Sequence, residues 1–342
     1  MNSADSQPEL APGRVLSLCS GYAVTLILEA AVRHGVFDLL DEGPRTVEET
    51  AAATKTLVRG LRAVMNALVG MELLARDDRG RYSLTPESAA FLVSTKPAFH
   101  GGVVRHASRT LIPNWLHLDE VVRTGQPSRL ANREQEGAEF FRDFVEDLFP
   151  ISYQAATVLA DVLNIAQAAG PVRVLDLGAG SGAWGIALAG KSEQVTVTAV
   201  EWSEVAPVTR KVAARHGLED RFRFVEGDLL EVDFGGDYAV CTIGHILHSE
   251  GEQRSRELLD KVFATLAPGG TVAIAEFVVD EDRRGPLPSL IFAVNMAVNT
   301  EQGDVFSFAQ MSGWLEEAGF ENVRQQDAPG PSPLILATRP GG

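Results

Sequence analysis

The sequence has few cysteines and a deficit of basic residues, and each shortage excludes a class of protein. Its 342 residues include only two cysteines, Cys19 and Cys241, whose separation fits no disulfide framework or metal motif. Both stand among apolar neighbours, which predicts buried, reduced thiols and a reducing, cytoplasmic compartment. Lysine and arginine number 30 against 46 acidic residues, for a net charge of −16. Since nucleic-acid binding needs clustered cations, we expect no nucleic-acid partner.

Long hydrophobic runs are also missing. A helix that spans a membrane needs about 20 apolar residues, and the best run, residues 24–32, is short and contains Glu29. The polar start of the chain predicts no secretory signal. We therefore expect no membrane partner. The composition, 45% hydrophobic and 22% charged, is typical of a globular protein, and the length favours two domains.

The first hundred residues show helical patterns. One runs over residues 14–40 with a break near Gly35. A capping box of Thr46 and Glu49 precedes a short helix over residues 47–53. A further helix begins at about Val58 and ends near Gly70, with its apolar residues on one face.

A β-hairpin is predicted over residues 73–84, around a polar turn. Helices followed by a hairpin are the layout of a winged helix, which raises the possibility of DNA binding. The second helix of that motif offers only Arg59 and Arg62 before it turns apolar. The sequence therefore favours packing against protein over binding to DNA.

After a helical segment that ends near Leu163, strands and helices alternate. Strands are predicted at residues 172–177, 195–200, 222–225, 238–243 and 271–277, and the last two lie near Val323 and at residues 335–338. A loop without a helix joins the last two strands, which predicts antiparallel pairing. The fold class is thus α/β, with a doubly wound, Rossmann-like sheet of seven strands.

Three segments follow from these patterns. Residues 1–100 form a winged-helix-like domain, and residues 101–165 form a helical linker that contributes to the substrate pocket. Residues 166–342 form the α/β domain.

A glycine-rich turn follows the first strand of this domain, in VRVLDLGAGSGAWG (residues 172–185). Gly178, Gly180 and Gly182 let the backbone pass close to a ligand. Their spacing differs from the G-x-G-x-x-G of nicotinamide and flavin binders. Asp176 would repel a pyrophosphate but would favour a ligand with an ammonium and a sulfonium group. The turn therefore predicts S-adenosylmethionine.

Acidic residues end the next two strands. Glu201, in TAVEWS, can accept hydrogen bonds from both ribose hydroxyls. Asp228, in VEGDLLE, is placed to accept one from an adenine amino group, with Leu229 against the ring face. Together they predict a nucleoside site at the carboxyl edge of the sheet.

The sequence resembles the small-molecule O-methyltransferases typified by plant caffeate and flavonoid enzymes and their bacterial natural-product relatives. The resemblance extends from TVEETAAAT, LVGMELL and YSLTP to the closing WLEEAGF. It implies a homodimer formed by the N-terminal domain, a small-molecule acceptor, and a cofactor held by Gly178, Glu201, Asp228 and Leu229. A lysine common in the family is Gly244 here.

The resemblance also implies the catalytic residues. His248, in GHILHSEGE, takes the place of the family's general base, and Glu276 takes that of the glutamate bonded to it. A neutral imidazole, whose ordinary pKa is about 6.5, can accept a hydroxyl proton. General-base catalysis of this kind accelerates a reaction roughly 10²–10⁴-fold. A metal held by His245 and His248 is conceivable, but no third ligand pattern accompanies them, so none is expected.

Two residues depart from the family pattern. Ser249 replaces the aspartate that usually follows the base, and Val305 stands where a second catalytic glutamate is expected, with Glu301 and Asp304 nearby. These departures keep open a carbon methyltransferase or a non-methylating enzyme of the same fold, such as a decarboxylase or cyclase. A ligand-binding and DNA-binding regulator is a further alternative.

The acceptor pocket is predicted on the helix after the fifth strand. Its candidates are Phe292, Asn295, Met296 and Asn299. Weaker candidates from the helical linker region are His106, Trp115 and Phe144.

Overall fold

A computed structural model describes residues 11–131, 133, 137, 138, 141, 142 and 144–341. Residues up to Ile112 form one compact unit, and residues from Pro113 onward form a second. The boundary between the units therefore lies inside the segment 101–165, and the three-part division of the chain stays a prediction.

The first unit contains helices and one hairpin, as the sequence predicts. In order, its elements are α1 (Gly13–Cys19), α2 (Gly21–Arg33), α3 (Val36–Asp41), α4 (Val47–Thr54), α5 (Val58–Gly70), β1 (Leu74–Arg76), β2 (Tyr82–Leu84), α6 (Pro86–Phe91) and α7 (Gly101–His106). The capping box is present, since Glu49 N donates to Thr46 Oγ1 (3.2 Å) and Thr46 N donates to Glu49 Oε2 (2.7 Å). β1 and β2 pair antiparallel.

The surface of α1 and α2 is unusually apolar. Its exposed side chains are Val15, Leu16, Leu18, Tyr22, Val24 and Leu26. The segment Gly13–Arg33 is long and apolar enough to span a membrane, and Glu29 and Ala31 are its buried residues. The expectation that no segment reaches this length is therefore wrong, because α1 and α2 follow one another almost without interruption. Length and composition do not distinguish a membrane helix from one that packs against protein.

The cysteines differ in environment. Cys241 is buried in the sheet, as predicted, whereas Cys19 is exposed at the end of α1. Its apolar neighbours indicated burial, but they are exposed as well. In α5, the Arg62 guanidinium donates to the Glu48 carboxylate at 2.8 Å, so this side chain is already engaged by an anion of the protein.

The second unit is a seven-stranded sheet with helices on both faces. Its helices are α8 (Ile112–Trp115), α9 (Leu118–Thr124), α10 (Phe149–Val162), α11 (Ala183–Lys191), α12 (Ala206–Arg215), α13 (Leu247–Thr265), α14 (Leu287–Asn299) and α15 (Phe308–Glu317). Its strands are β3 (Val172–Leu177), β4 (Val195–Glu201), β5 (Phe222–Glu226), β6 (Tyr238–Gly244), β7 (Leu266–Ala275), β8 (Val278–Val279), β9 (Phe306–Ser307), β10 (Glu321–Gln326) and β11 (Leu334–Thr338).

The strand order is β10-β11-β7-β6-β3-β4-β5, and β8 pairs with β9 apart from this sheet. Strands β3 to β7 are parallel, whereas β11 is antiparallel to both β7 and β10; the pairing of β10 with β11 was predicted. The chain leaves β3 toward β4 on one side and later returns to β6 on the other. In open α/β sheets, ligands bind at such a switch point, outside the carboxyl ends of the strands.

One strand begins earlier than predicted. β7 starts at Leu266, which pairs with Tyr238 across a register shift that accommodates the Pro-Gly-Gly sequence. It ends at Ala275, so Glu276 follows the strand. Two apolar clusters cover the sheet faces, one centred on Val174 and Leu336 and the other on Leu177 and Ile335.

A glycine interrupts α13 close to its start. Gly251 has φ 76° and ψ 173°, which is not helical. A Cβ at this position would lie 2.6 Å from the Gln302 carbonyl oxygen, so the loop of residues 300–304 packs directly against the helix. From that loop, Asp304 N donates to the His248 carbonyl oxygen at 2.9 Å.

Replacing Gly251 should be costly. Gly251→Ala is expected to lower the free energy of unfolding by about 2 kcal/mol, because alanine disfavours this backbone conformation and its methyl group would meet Gln302. Urea unfolding measures the loss. Gly313→Ala, inside α15 with nothing within 4 Å of its Cβ, is the control. It should leave stability unchanged or raise it by about 0.5–1 kcal/mol, and equal losses in both variants would contradict this interpretation.

Candidate active site

A cleft of about 290 Å³ opens at the carboxyl ends of β3, β4 and β6, and its lining residues belong to the second unit. The side next to the carboxyl ends of β3, β4 and β5 is lined by glycines and carboxylates. The side reached from β6, β7 and α14 carries histidines and phenylalanines. The cleft therefore has two chemically different ends.

The glycine-rich turn forms one wall of the cleft. Gly178 and Gly180 have φ of 58° and 54°, in the left-handed region that favours glycine. A side chain at Gly178 would overlap Ile246, and one at Gly180 would meet Val145. Both glycines line the cleft, so the backbone itself is the surface that a ligand would approach.

Asp176 lies beneath this turn and does not line the cleft. It is completely buried, and it accepts hydrogen bonds from Thr242 Oγ1 (2.7 Å) and Gly185 N (3.0 Å). Burial raises the pKa of its carboxyl group to about 7. The expected direct contact with a cationic ligand therefore needs correction, because the carboxylate is committed to β6 and to the start of α11.

Glu201, at the end of β4, lines the cleft. Its Oε2 accepts from Gly180 N (2.7 Å) and its Oε1 accepts from Trp202 N (2.8 Å). Desolvation raises the pKa of this carboxyl group to about 7, against the opposite effect of the two hydrogen bonds. The hydrogen bonds fix both oxygens at the cleft edge while leaving each with further lone pairs.

Asp228 and Leu229, after β5, also line the cleft. Asp228 accepts from Leu230 N through Oδ1 and from Arg254 through Oδ2, both at 2.8 Å. Arg254 also donates to Glu250 at 2.5 Å. Burial raises the pKa of Glu250, although Arg254 acts in the opposite direction. Arg254 thus links the carboxylate after β5 to the segment that carries His248.

Gly244 ends β6, where the family often has a lysine. A Cβ at this position would overlap Nε1 of Trp184, whose indole is buried and lines the cleft. The indole therefore occupies the space that a side chain at position 244 would need. Trp184 was not predicted as a site residue, although it stands inside the glycine-rich motif.

His248 and Glu276 are brought together as expected. The His248 ring Nδ1 and Glu276 Oε2 lie 2.8 Å apart, and His248 N donates to Glu276 Oε1 at 3.2 Å. Both side chains are buried, and His248 lines the cleft. Burial acts to raise the pKa of Glu276, but the charge of His248 and its hydrogen bonds outweigh it, so this pKa lies below its ordinary value.

Phenylalanines surround this pair. The rings of Phe277 and Phe292 are stacked with centroids 3.9 Å apart, and Phe292 meets the His248 ring edge-on at 4.8 Å. Phe277, next to Glu276, was not predicted, but its position after β7 could have indicated it. Phe144 also lines the cleft. An apolar aromatic wall next to an imidazole suits a flat, weakly polar molecule.

The second histidine, His245, lies beside the first. Ligand atoms of His245, His248 and Glu276 all lie within 4.8 Å of one another, as a metal site would require. However, the Glu276 oxygen is already engaged by His248 Nδ1. That the site works without a metal stays a prediction.

The residues near the expected second glutamate are buried or paired with arginines. Val305 is completely buried. The Asp304 carboxylate pairs with Arg283 (3.0 Å) and that of Glu301 with Arg133 (2.6 Å). Neither carboxylate bonds to the His248 ring in the part of the chain that the structure describes. Among the described residues, Glu276 is the carboxylate bonded to the imidazole.

Three of the four predicted acceptor residues, Phe292, Asn295 and Met296, line the cleft. Asn299 does not, and it is almost fully buried. Its Nδ2 donates to Asn295 Oδ1 (3.0 Å), which also accepts from Trp115 Nε1 (2.9 Å). Among the weaker candidates, Trp115 thus acts on Asn295, and His106 belongs to the first unit.

The residues of the cleft fit S-adenosylmethionine. Glu201, Asp228 and Glu250 face it, and carboxylates favour a ligand with sulfonium and ammonium charges. The turn at Gly178 leaves no room for a side chain, as a close backbone approach requires. Together with the strand order, the site defines a class of enzyme, the S-adenosylmethionine-dependent methyltransferases.

Comparison with known proteins narrows this class. Residues 115–321 match an O-methyltransferase domain, and residues 16–94 match an O-methyltransferase dimerisation domain. The first match covers more than half of the chain. The chain therefore belongs to the O-methyltransferase family and carries that family's dimerisation domain.

Individual relatives are similar over nearly their whole length. The 3-hydroxy-5-methyl-1-naphthoate 3-O-methyltransferase of Streptomyces sahachiroi is 30% identical, with 92% of this chain and 90% of that protein covered. The tetracenomycin polyketide synthesis 8-O-methyl transferase TcmO of Streptomyces glaucescens is 28% identical, with 96% and 97% covered. Among solved structures, human N-acetylserotonin methyltransferase in complex with SAM has a TM-score of 0.82 at 25% identity, with 99% and 100% covered.

The raised pKa of Asp176 predicts how stability changes with pH. The folded chain keeps a proton on this carboxyl group up to about pH 7, whereas the unfolded chain releases it near about pH 4. This contribution to stability is therefore present below about pH 4 and lost as the pH rises through about 7. Asp176→Asn removes the titration.

Without cofactor, the melting temperature of Asp176→Asn should fall less than that of the wild type between about pH 5 and about pH 8. Asp161→Asn, which changes an exposed carboxylate of α10, is the control and should follow the wild type. Parallel curves for Asp176→Asn and the wild type would contradict the assignment.

Replacing Gly244 with the lysine that is common in the family should not create a favourable contact with the cofactor. Gly244→Lys is expected to weaken the binding of S-adenosylhomocysteine by roughly tenfold, because the new side chain collides with the Trp184 indole. Calorimetric titration measures the dissociation constant. The double variant Gly244→Lys/Trp184→Ala removes the collision and should bind more tightly than Gly244→Lys, with Trp184→Ala as the control. Tighter binding by Gly244→Lys itself would show that the space is free.

Proposed function

We propose that the chain transfers a methyl group from S-adenosylmethionine to a hydroxyl group of an aromatic or polyketide-like small molecule. The observation that carries this proposal is the His248–Glu276 pair, which lies on the cleft among stacked phenylalanine rings. The two Streptomyces relatives support the proposal, because one is named for a hydroxynaphthoate acceptor and the other for the synthesis of a polyketide.

His248 acts as the general base. Because Glu276 Oε2 accepts from Nδ1, the ring proton resides on Nδ1 and the lone pair on Nε2. As the acceptor oxygen bonds to the methyl carbon, the bond from that carbon to the sulfonium sulfur would break with S-adenosylhomocysteine as the leaving group, and the hydroxyl proton passes to Nε2. Glu276, whose lowered pKa keeps it ionised, then stabilises the resulting imidazolium. Holding the base and the acceptor in the correct orientation lowers the reaction barrier further, in addition to the effect of the proton transfer.

The cofactor is held by the other end of the cleft. Bound there, S-adenosylmethionine supplies a methyl group made electrophilic by the sulfonium. Gly178 and Gly180 offer their backbone to it, and Glu201 offers carboxylate oxygens to ribose hydroxyls. Asp228 and Leu229 hold the adenine. Asp176 contributes indirectly, because it supports the turn from below.

The acceptor lies against Phe292 and Met296, and Asn295 orients it. Trp115 and Asn299 both donate to Asn295 Oδ1, which fixes this amide with its oxygen toward them. Its Nδ2 is thereby left as a hydrogen-bond donor for an oxygen of the acceptor. Asn299 is a positioning residue in this scheme.

The chain acts as a homodimer. The exposed apolar side chains of α1 and α2 overlap the match to the dimerisation domain, and their burial by a second copy would remove apolar surface from water. The chain is a cytoplasmic enzyme in this proposal. The acidic net charge disfavours binding to nucleic acid, and burial of the apolar surface in a dimer leaves it unavailable to a membrane.

Two substitutions test the chemistry. Glu276→Gln and His248→Gln are each expected to lower kcat by roughly 10²–10⁴-fold, because the base is lost or no longer oriented. The dissociation constant of S-adenosylhomocysteine should stay within about twofold of the wild type, since neither residue holds the cofactor. Turnover of a panel of phenols and naphthols, followed by mass spectrometry, measures the rates.

Asp304→Asn is the matched control for this experiment. It removes the nearby carboxylate but keeps the backbone N–H that donates to the His248 carbonyl. Its activity should remain near that of the wild type. Full activity in His248→Gln would show that the imidazole is not the base, and a wild type that binds the cofactor but methylates no panel member would contradict the proposed acceptor class.

A further inference from the structure

His245 is a histidine of the cleft that the proposed reaction does not use. It follows β6, three residues before His248, and its ring lines the same cleft. Its backbone adopts φ 62°, and its N–H donates to the Ala275 carbonyl oxygen at 2.9 Å. This conformation is uncommon for a residue other than glycine and is often retained at functional sites.

The His245 imidazole combines an uncharged ring with a nitrogen that is unsatisfied within the described residues. Burial lowers its pKa to about 4, so the ring is neutral at physiological pH. Its Nδ1 is buried and has no hydrogen-bond partner within the part of the chain that the structure describes. The ring centroid lies 5.3 Å from that of Phe277 and 6.2 Å from that of His248. A polar ring held incompletely bonded beside the base is suited to a bound molecule that completes its hydrogen bonds.

Besides the two histidines, the titratable side chains that line the cleft are carboxylic acids. Glu201, Asp228 and Glu250 line it, while Arg254, outside the lining, is bound to two of them. Within the described residues, no lysine or arginine lines the cleft. Residues 1–10, 132, 134–136, 139, 140, 143 and 342 include neither lysine nor arginine. A carboxylate on the acceptor would lose its hydration beside the phenylalanines without gaining a lysine or arginine partner among the residues that line the cleft.

We propose that His245 is a specificity-determining residue, whose neutral imidazole bonds a polar substituent of the acceptor and selects an uncharged aromatic acceptor over its carboxylated analogue. The inference rests on the proposed function, because it concerns the acceptor of that reaction. It assigns to His245 a role separate from that of His248. His248 removes the proton, and His245 recognises a polar substituent elsewhere on the same molecule.

Matched acid and amide pairs test the proposal. A carboxamide has nearly the shape of a carboxylate but no charge, so caffeate is compared with caffeamide, and a hydroxynaphthoate with its hydroxynaphthamide. Each is titrated into wild-type protein saturated with S-adenosylhomocysteine. We expect the amides to bind at least about tenfold more tightly than the acids. Equal or tighter binding of the acids overturns the inference but leaves the proposed function intact.

Two variants of the same residue assign the effect to His245. His245→Arg adds a cation and should raise the affinity for the acids relative to the amides by about tenfold, whereas the neutral His245→Gln should keep the preference for the amides. Because the acid and the amide are titrated into the same protein, any loss of folded protein affects both affinities equally and leaves their ratio unchanged. The wild-type ratio is measured without any substitution. An unchanged ratio in folded His245→Arg overturns the role of His245. A wild type that binds no member of either pair contradicts the aromatic acceptor and the inference together.

Discussion

The buried carboxylate of Asp176 connects the elements that form the cofactor end of the cleft. It lies one residue before the end of β3 and bonds both to Thr242 of β6 and to Gly185 of α11. Because β3 lies between β4 and β6, these bonds fix the direction in which the glycine-rich turn leaves the sheet. Gly180 then presents its N–H to Glu201 at the end of β4. The burial that makes Asp176 rigid also raises its pKa, so structural order is coupled to protonation here.

The other end of the cleft is organised around His248. Its ring is held by Glu276 after β7, and its carbonyl oxygen accepts from Asp304 N in the loop of residues 300–304. That loop can approach because Gly251 and Gly303 have no side chains, and a Cβ at either would meet backbone or side-chain atoms. Since Val305 is buried and apolar, the orientation of the base depends on one carboxylate.

These two ends divide the chemistry between them. The carboxylates suit a cationic nucleoside cofactor, while the phenylalanines and histidines suit a flat aromatic acceptor. The acceptor end gains its precision from residues that do not touch the cleft, since Asn299 and Trp115 determine which way the Asn295 amide points. Membership of the O-methyltransferase family is consistent with this division.

By itself, the sequence determined the helices and strands, and it determined which strand each polar residue of the site follows. Alternating strands and helices place the residues after each parallel strand at one edge, so Glu201, Asp228, His248 and Glu276 could be assigned to one cleft before any coordinates. Only the tertiary structure decided which side chains face that cleft. Asp176 and Asn299 point into the protein, and Trp184 fills the space beside Gly244, because long-range packing between β3, β6, α11 and α14 sets those directions. Local pattern carries no information about such contacts, since they join residues far apart in the chain.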